Sequence, residues 1–221
     1  MHLLKSFAVA TIATLALSAC SSSKSSSDAT VIEIADASSA FSRNLRDAGG
    51  VVVTVSGAVV RVRADLDAYD IAPGTALHYL IVENIPYIDA SLGDATSYVQ
   101  GTEQNLKLMG VEPERYMQDT ALLSLLMALP TRSADWAPVA TDVVQVSERS
   151  FRLKLPVDKM PEAKNADLTK PTEFFFTLDE AGALLQWGVF DKAGQSVTFK
   201  KFEKVELEVP SADQLVPVPR R

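Results

Sequence analysis

The chain has 221 residues, with 21 basic and 28 acidic side chains, a formal net charge of −7, two histidines and one cysteine. So acidic a chain lacks the basic face that nucleic acid requires, and nucleic acid is excluded as an expected partner. With one thiol and two histidines, one of them at position 2, the usual metal-ligand sets and nucleophile–histidine pairs do not assemble, so no metal, cofactor or catalytic residue is expected.

Residues 1–19 read as a signal peptide, because His2 and Lys5 precede an apolar run from Phe7 to Leu17 that is too short to span a bilayer stably. At its end, Leu17-Ser18-Ala19-Cys20 resembles the lipobox of bacterial lipoproteins, in which small residues admit the peptidase and the thiol takes a diacylglyceryl thioether. The resemblance implies cleavage before Cys20, lipid on that residue and a place on the outer face of the cell membrane. One acyl chain holds a protein marginally, whereas two or three on one cysteine make a lasting anchor. Residues 20–29, which contain the run Ser21 to Ser27 broken by Lys24, read as a tether with nothing apolar to bury. Loss of residues 1–19 removes one lysine and no acid, so −7 becomes −8 over 202 residues. Residues 30–216 then form one domain, and 217–221, with two prolines, a frayed tail.

Along the domain, Thr30-Val31-Ile32-Glu33 predicts a capping box, followed by a helix with Ile34, Phe41 and Leu45 on one face and Gly49-Gly50 at its end. From Val51 the period is two. Between Val59 and Ala68, the apolar Val60, Val62, Ala64 and Leu66 alternate with Arg61, Arg63, Asp65 and Asp67, which predicts a strand whose wet face is a charge ladder. Pro73-Gly74 predicts a turn, Ala76 to Glu83 and Tyr87 to Leu92 further strands, and Gly93 to Gly110 a loop. Pro113 opens a second helix and Pro130 is expected to stop it; its half from Ala121 to Leu129 is apolar nearly all round and must be covered on most sides. Strands are predicted again at Asp142–Ser147, Phe151–Leu155, Glu173–Leu178, Leu184–Phe190 and Ser196–Val209. Asp179 to Gly182 and Asp191 to Gly194 read as hairpin turns, and the stretch from Pro156 to Pro171 as a polar interruption. The fold class is α+β: a large curved antiparallel sheet whose apolar face a few helices cover.

This order of elements resembles the LppX/LprAFG lipoproteins of actinobacteria, which share the half-barrel of the carriers LolA and LolB. The resemblance rests on the lipobox and serine tether, the helix before Val51 to Gly57, and the strand pair within Ile81 to Leu92. It continues through Phe174 to Gly182, Asp191 to Val197 and Pro210 to Pro217. It implies a half-barrel covered on its concave face by helices, with an apolar cavity between them for the acyl chains of a lipid or glycolipid, and no catalysis. On that reading the expected lining residues are Val60, Val62, Leu66, Leu77, Tyr79, Ile81, Leu122, Leu126, Phe174, Phe176 and Trp187. The chain departs from the family in placing Phe174, Phe176, Trp187, Phe199, Tyr79 and Tyr87 on strands, where rings compete with a cavity for space. The alternative is a filled-core lipoprotein that presents its outer surface to an envelope protein. Met109, Met117 and Met127 read as gap fillers, and Lys200, Lys201 and Lys204 as an exposed strand edge. His78, with no partner at ligand spacing, reads as an ordinary surface or core histidine.

Overall fold

Ile34, Ala37, Phe41 and Leu45 recur at helical spacing and are buried together, forming the inner stripe of the first helix, α1 (Ser26–Ala48). The computed structural model describes residues 26–72, 78–91, 96–156, 166, 168, 172–190 and 195–218. The helix begins at Ser26, so Thr30 lies inside it and is not the cap the sequence predicts. Ser38 and Ser42 are buried on the same side of α1. Arg46 Nη1 donates to Ser42 Oγ at 2.8 Å, back along the helix. Gly49, at φ +83°, ends it, its N–H bonded to the Leu45 carbonyl, a backbone turn that L side chains resist.

Six strands follow: β1 (Gly50–Val55), β2 (Ala58–Arg63), β3 (Ala68–Ala72), β4 (Tyr79–Val82), β5 (Ile85–Asp89) and β6 (Tyr98–Gln100). Three helices come next, α2 (Glu103–Leu108), α3 (Pro113–Thr131) and α4 (Ser133–Trp136). The chain ends in β7 (Thr141–Ser147), β8 (Ser150–Leu155), β9 (Thr172–Leu178), β10 (Leu184–Val189) and β11 (Ser196–Phe202). The described strands form one open antiparallel sheet in the order β6-β5-β4-β3-β2-β1-β11-β10-β9-β8-β7. It is two meanders joined where the first strand pairs with the last, Val51 opposite Phe202 and Val55 opposite Val197.

One face of the sheet and the helices share a single core. Val51, Val53, Val60, Val62, Tyr69 and Ile81 come from the first meander, and Phe151, Leu153, Phe174, Phe176, Trp187 and Val197 from the second. They meet the α1 stripe and Leu122 to Leu129 of α3. That half of α3 is covered on most sides, as its composition requires. The opposite face of β3 to β6 carries a smaller cluster, Ala68, Leu80, Val82 and Tyr87, covered by Leu207 from residues 203–218 after β11. This C-terminal strap is held by Arg63 Nη1 donating to the Leu207 carbonyl at 2.5 Å, by Tyr98 N donating to Gln214 O, and by Val216 N donating to Tyr98 O. Gly50 is the residue that admits it, since a Cβ there would stand 2.5 Å from the Val205 side chain.

Four sequence expectations are corrected. The strand predicted through Ala68 stops at Arg63, because Asp65 accepts from Arg63 Nε and from Asp67 N and closes a turn. Leu66 sits in that turn at φ +61°, half-buried, its carbonyl taken by the Tyr69 hydroxyl. The loop predicted from Gly93 to Gly110 contains β6 and α2, the helix capped by Thr102, whose Oγ1 accepts from Asn105 N. The last strand ends at Phe202 and not Val209, because the chain leaves the sheet to become the strap. Pro130 lies inside the last turn of α3, which runs to Thr131. The predicted hairpin at Asp179 to Gly182 is present, with Asp179 Oδ1 accepting from Ala181 N and Ala183 N. The turns read at Pro73-Gly74 and Asp191 to Gly194 lie outside the described residues, as do residues 1–25.

Candidate functional site

Of the expected lining residues, Val60, Val62, Ile81, Leu122, Leu126, Phe174, Phe176 and Trp187 are brought together, all buried in the main core. Leu66 packs on the same core from its turn, and Tyr79 stands at its border. Leu77 and Cys20 lie outside the described residues.

In the half built on β8 to β11, rings occupy the space between sheet and helices. Phe41 meets Trp187 edge-on with centroids 5.2 Å apart, Trp136 stacks on Phe176 at 5.5 Å, and Phe199 and Phe202 lie at 4.7 Å. Both tryptophans also serve α3. Pro130 has no N–H to donate to the carbonyl one turn back, that of Leu126, and Trp187 Nε1 donates there instead at 2.6 Å. Trp136 Nε1 donates to the Leu129 carbonyl at 2.8 Å.

At the other half, the first turns of α3 stand away from β3 and β4. The cleft between them has a volume of about 280 Å³ and is lined by Ile71, Tyr79, Val111, Tyr116 and Leu123, with Glu112, Arg115, Asp119 and Thr120 at its polar side. The Tyr79 and Tyr116 rings approach to 5.9 Å. Burial pushes the Tyr116 phenol up to about 12, Thr120 pulling the other way. Thr120 is near enough to act on that hydroxyl electrostatically, yet the Tyr116 Oη is buried without a well-formed hydrogen bond among the described residues. Burial likewise raises the Tyr79 phenol. Arg115 is exposed and reaches Asp119 only at 4.0 Å.

Two further recesses are open. One, between α2 and α3, has a volume of about 910 Å³ and is flanked by Leu106, Lys107, Glu114 and Met117. The other, of about 470 Å³, lies between the first turns of α1 (Asp28 to Ala35) and residues Ala137 to Val143.

The reading of His78 as a histidine without partners is also corrected. Its Nδ1 lies 3.2 Å from Asp89 Oδ2 on β5, and its Nε2 contacts Asp70 Oδ1 on β3, while Arg61 Nη1 holds the other Asp70 oxygen at 3.1 Å. Burial pulls the His78 pKa down, but hydrogen bonds to the two carboxylates outweigh it and the net shift is upward. Burial acts to raise Asp89, and its hydrogen bonds to Ser91 and His78 bring it below the ordinary value. Hairpin register was the signal: the Glu83-Asn84 turn pairs Tyr79 with Ile88 and so sets residue 78 beside 89. Both ring nitrogens face carboxylates, so the imidazole has no nitrogen left to activate a hydroxyl. Among the described residues no group of three His, Cys, Asp or Glu side chains is placed to hold a metal ion, and no helix is long and apolar enough to cross a membrane.

No protein-family model matches the chain, and no curated protein matches it.

Proposed function

We propose that the protein is a lipoprotein of the LppX/LprAFG kind, built on a LolA-like half-barrel and anchored through Cys20 to the outer face of the cell membrane. It binds an acylated lipid or glycolipid and passes it on without covalent chemistry. The observation that carries this reading is the cleft between α3 and β3–β4, apolar on its inner side and holding the Tyr116 hydroxyl, which has no well-formed hydrogen bond among the described residues. A ligand with an ester or amide carbonyl would give that hydroxyl the acceptor it lacks, while the acyl chain lies against Ile71, Tyr79 and Leu123. Arg115 at the rim suits a phosphate or carboxylate on the ligand. Of the expected lining residues Tyr79 borders this cleft, while Phe174, Phe176 and Trp187 lie among the rings that occupy the β8–β11 half.

The test is native mass spectrometry and lipid extraction of residues 21–221 made in a bacterial host. A co-purifying acylated lipid, displaced when Thr120→Trp fills the cleft from its rim, supports the reading; a clean unliganded mass overturns it. A second reading, a filled-core module that docks an envelope protein, is favoured by the packed rings and by Leu108 and Met117, 64% and 52% exposed beside the α2–α3 recess.

A further inference from the structure

The two ends of the sheet differ. The turns Ala64 to Asp67, Glu83-Asn84, Glu148-Arg149 and Asp179 to Gly182 lie at one end, where Gly50 pairs with Arg63 and α1 finishes. The opposite end is reached at Val55, Ala72, Leu155 and Phe190, and there α1 begins, its first turns packed beside Ala137 to Val143. At 23 residues, α1 is roughly 34 Å long, so its start is separated from the turn end by most of the molecule.

Apolar side chains stand in water at the α1 start. Ile32, 40% exposed, lines the 470 Å³ recess with Val31, Pro138 and Val143, and Val139, between Pro138 and Ala140 of that lining, is 39% exposed. The charges beside them are acidic, Asp28 and Asp142, the latter paired with Lys154 at 2.9 Å. Such a rim does not attract anionic head groups. Five residues lie between Cys20 and Ser26, and the six steps that join them reach at most about 20 Å. That is too short to let lipid on Cys20 serve the turn end, and it holds the Ile32–Val139 face beside whatever the lipid is embedded in.

We propose that this face, between the first turns of α1 and Ala137 to Val143, rests on a zwitterionic lipid bilayer in the anchored protein. The inference depends on the lipid anchor at Cys20. Seating this face on the bilayer sets the Ile71–Tyr79 side of the ligand cleft, which belongs to the same end of the sheet, toward the membrane. The contacts are too few to hold the protein alone; the anchor supplies the high local concentration that makes them count.

The experiment uses the full lipoprotein in phosphatidylcholine vesicles. Its single thiol would be consumed by the thioether, so a probe on Val139→Cys or on Ala181→Cys, at the exposed tip of the β9–β10 turn, is uniquely placed. Nitroxide-bearing lipid should quench the probe at 139 several-fold more than at 181, and adding Ile32→Asp should abolish the difference. Equal quenching at both sites overturns the proposal. So does a probe at 139 that is shielded from water yet untouched by the nitroxide, because a second copy or another protein then covers the face. Intact mass of Cys20, read first, separates the two failures: an unmodified thiol removes the anchor and the docking face with it and leaves the ligand cleft to the lipid-extraction test, whereas a lipidated chain with equal quenching removes only the docking face.

Discussion

Replacing Trp187 by phenylalanine tests how α3 tolerates a proline in its last turn. The substitution removes the indole donor that stands in for the missing Pro130 N–H at the Leu126 carbonyl, at a cost of about 1–3 kcal/mol if that buried acceptor is left unsatisfied. The smaller ring adds about 1 kcal/mol for the space left against Phe41. A loss of about 3 kcal/mol should lower Tm by about 6–12 °C in a domain of this size. Pro130→Ala supplies an amide N–H one turn after Leu126, so in that background the cost of Trp187→Phe should fall by about 1–2 kcal/mol. Trp136→Phe is the control: it serves Leu129, whose carbonyl also receives Arg132 N, and its cost should not depend on residue 130. Urea unfolding followed by far-ultraviolet circular dichroism is the assay, because the substitutions change the tryptophan signal. If Trp187→Phe costs the same in both backgrounds to within about 0.5 kcal/mol, the substitute-donor argument is wrong.

The His78 cluster makes stability depend on pH in two windows. Because the folded His78 pKa lies above 6.5, its contribution is complete below the unfolded value and is lost as pH rises through the folded one; the urea midpoint should fall as pH rises above 6.5, and His78→Gln should flatten that fall. Asp89, held below 3.8, contributes above that value and loses its contribution as pH falls through its folded pKa, so Asp89→Asn should blunt the acid limb of the same titration. Gly50→Ala forces a Cβ onto Val205 and the Val62 carbonyl and should destabilise by about 1–3 kcal/mol; limited proteolysis should then cut within 203–218, and Val205→Gly should restore resistance. Tyr116→Phe removes a hydroxyl that makes no well-formed hydrogen bond among the described residues, so thermal unfolding of the unliganded protein should be unchanged or shifted upward by about 1 kcal/mol, while the affinity for an acyl ester, measured by calorimetry, should drop.

Strand β8 was legible because Phe151-Arg152-Leu153-Lys154-Leu155 alternates without interruption and one buried face leaves one register, and β9 because the Asp179 to Gly182 turn bounds an aromatic run. Alternation misled at Leu66. The alternation of Arg63, Asp65 and Asp67 continued past the strand end because those charges close a turn and do not line a wet face. Strand β6 and helix α2 were illegible for another reason: three and six residues carry little periodicity, and β6 is fixed by Gln214 and Val216, more than a hundred residues away. Phe174, Phe176, Trp187 and Phe199 lie on the inner face, as read, whereas Tyr87 lies on the opposite face, where Leu207 of the strap packs on its cluster and its ring takes no cavity space. That the inner rings fill one half of their face and leave a cleft in the other depends on how far α3 stands from β3 and β4, which no pattern within either element records.

The pairing of β1 with β11 governs when the molecule can form. Residues 51 and 202 are partners, so the central seam of the sheet closes a loop of most of the domain, and the strap that covers Tyr87 and Leu80 comes later still in the chain. Neither meander can acquire its neighbour, nor α1 its full seat, until β11 has been made. Such long-range closure slows folding relative to local pairing. A chain of this topology therefore commits to its central seam only after residue 202 has been made.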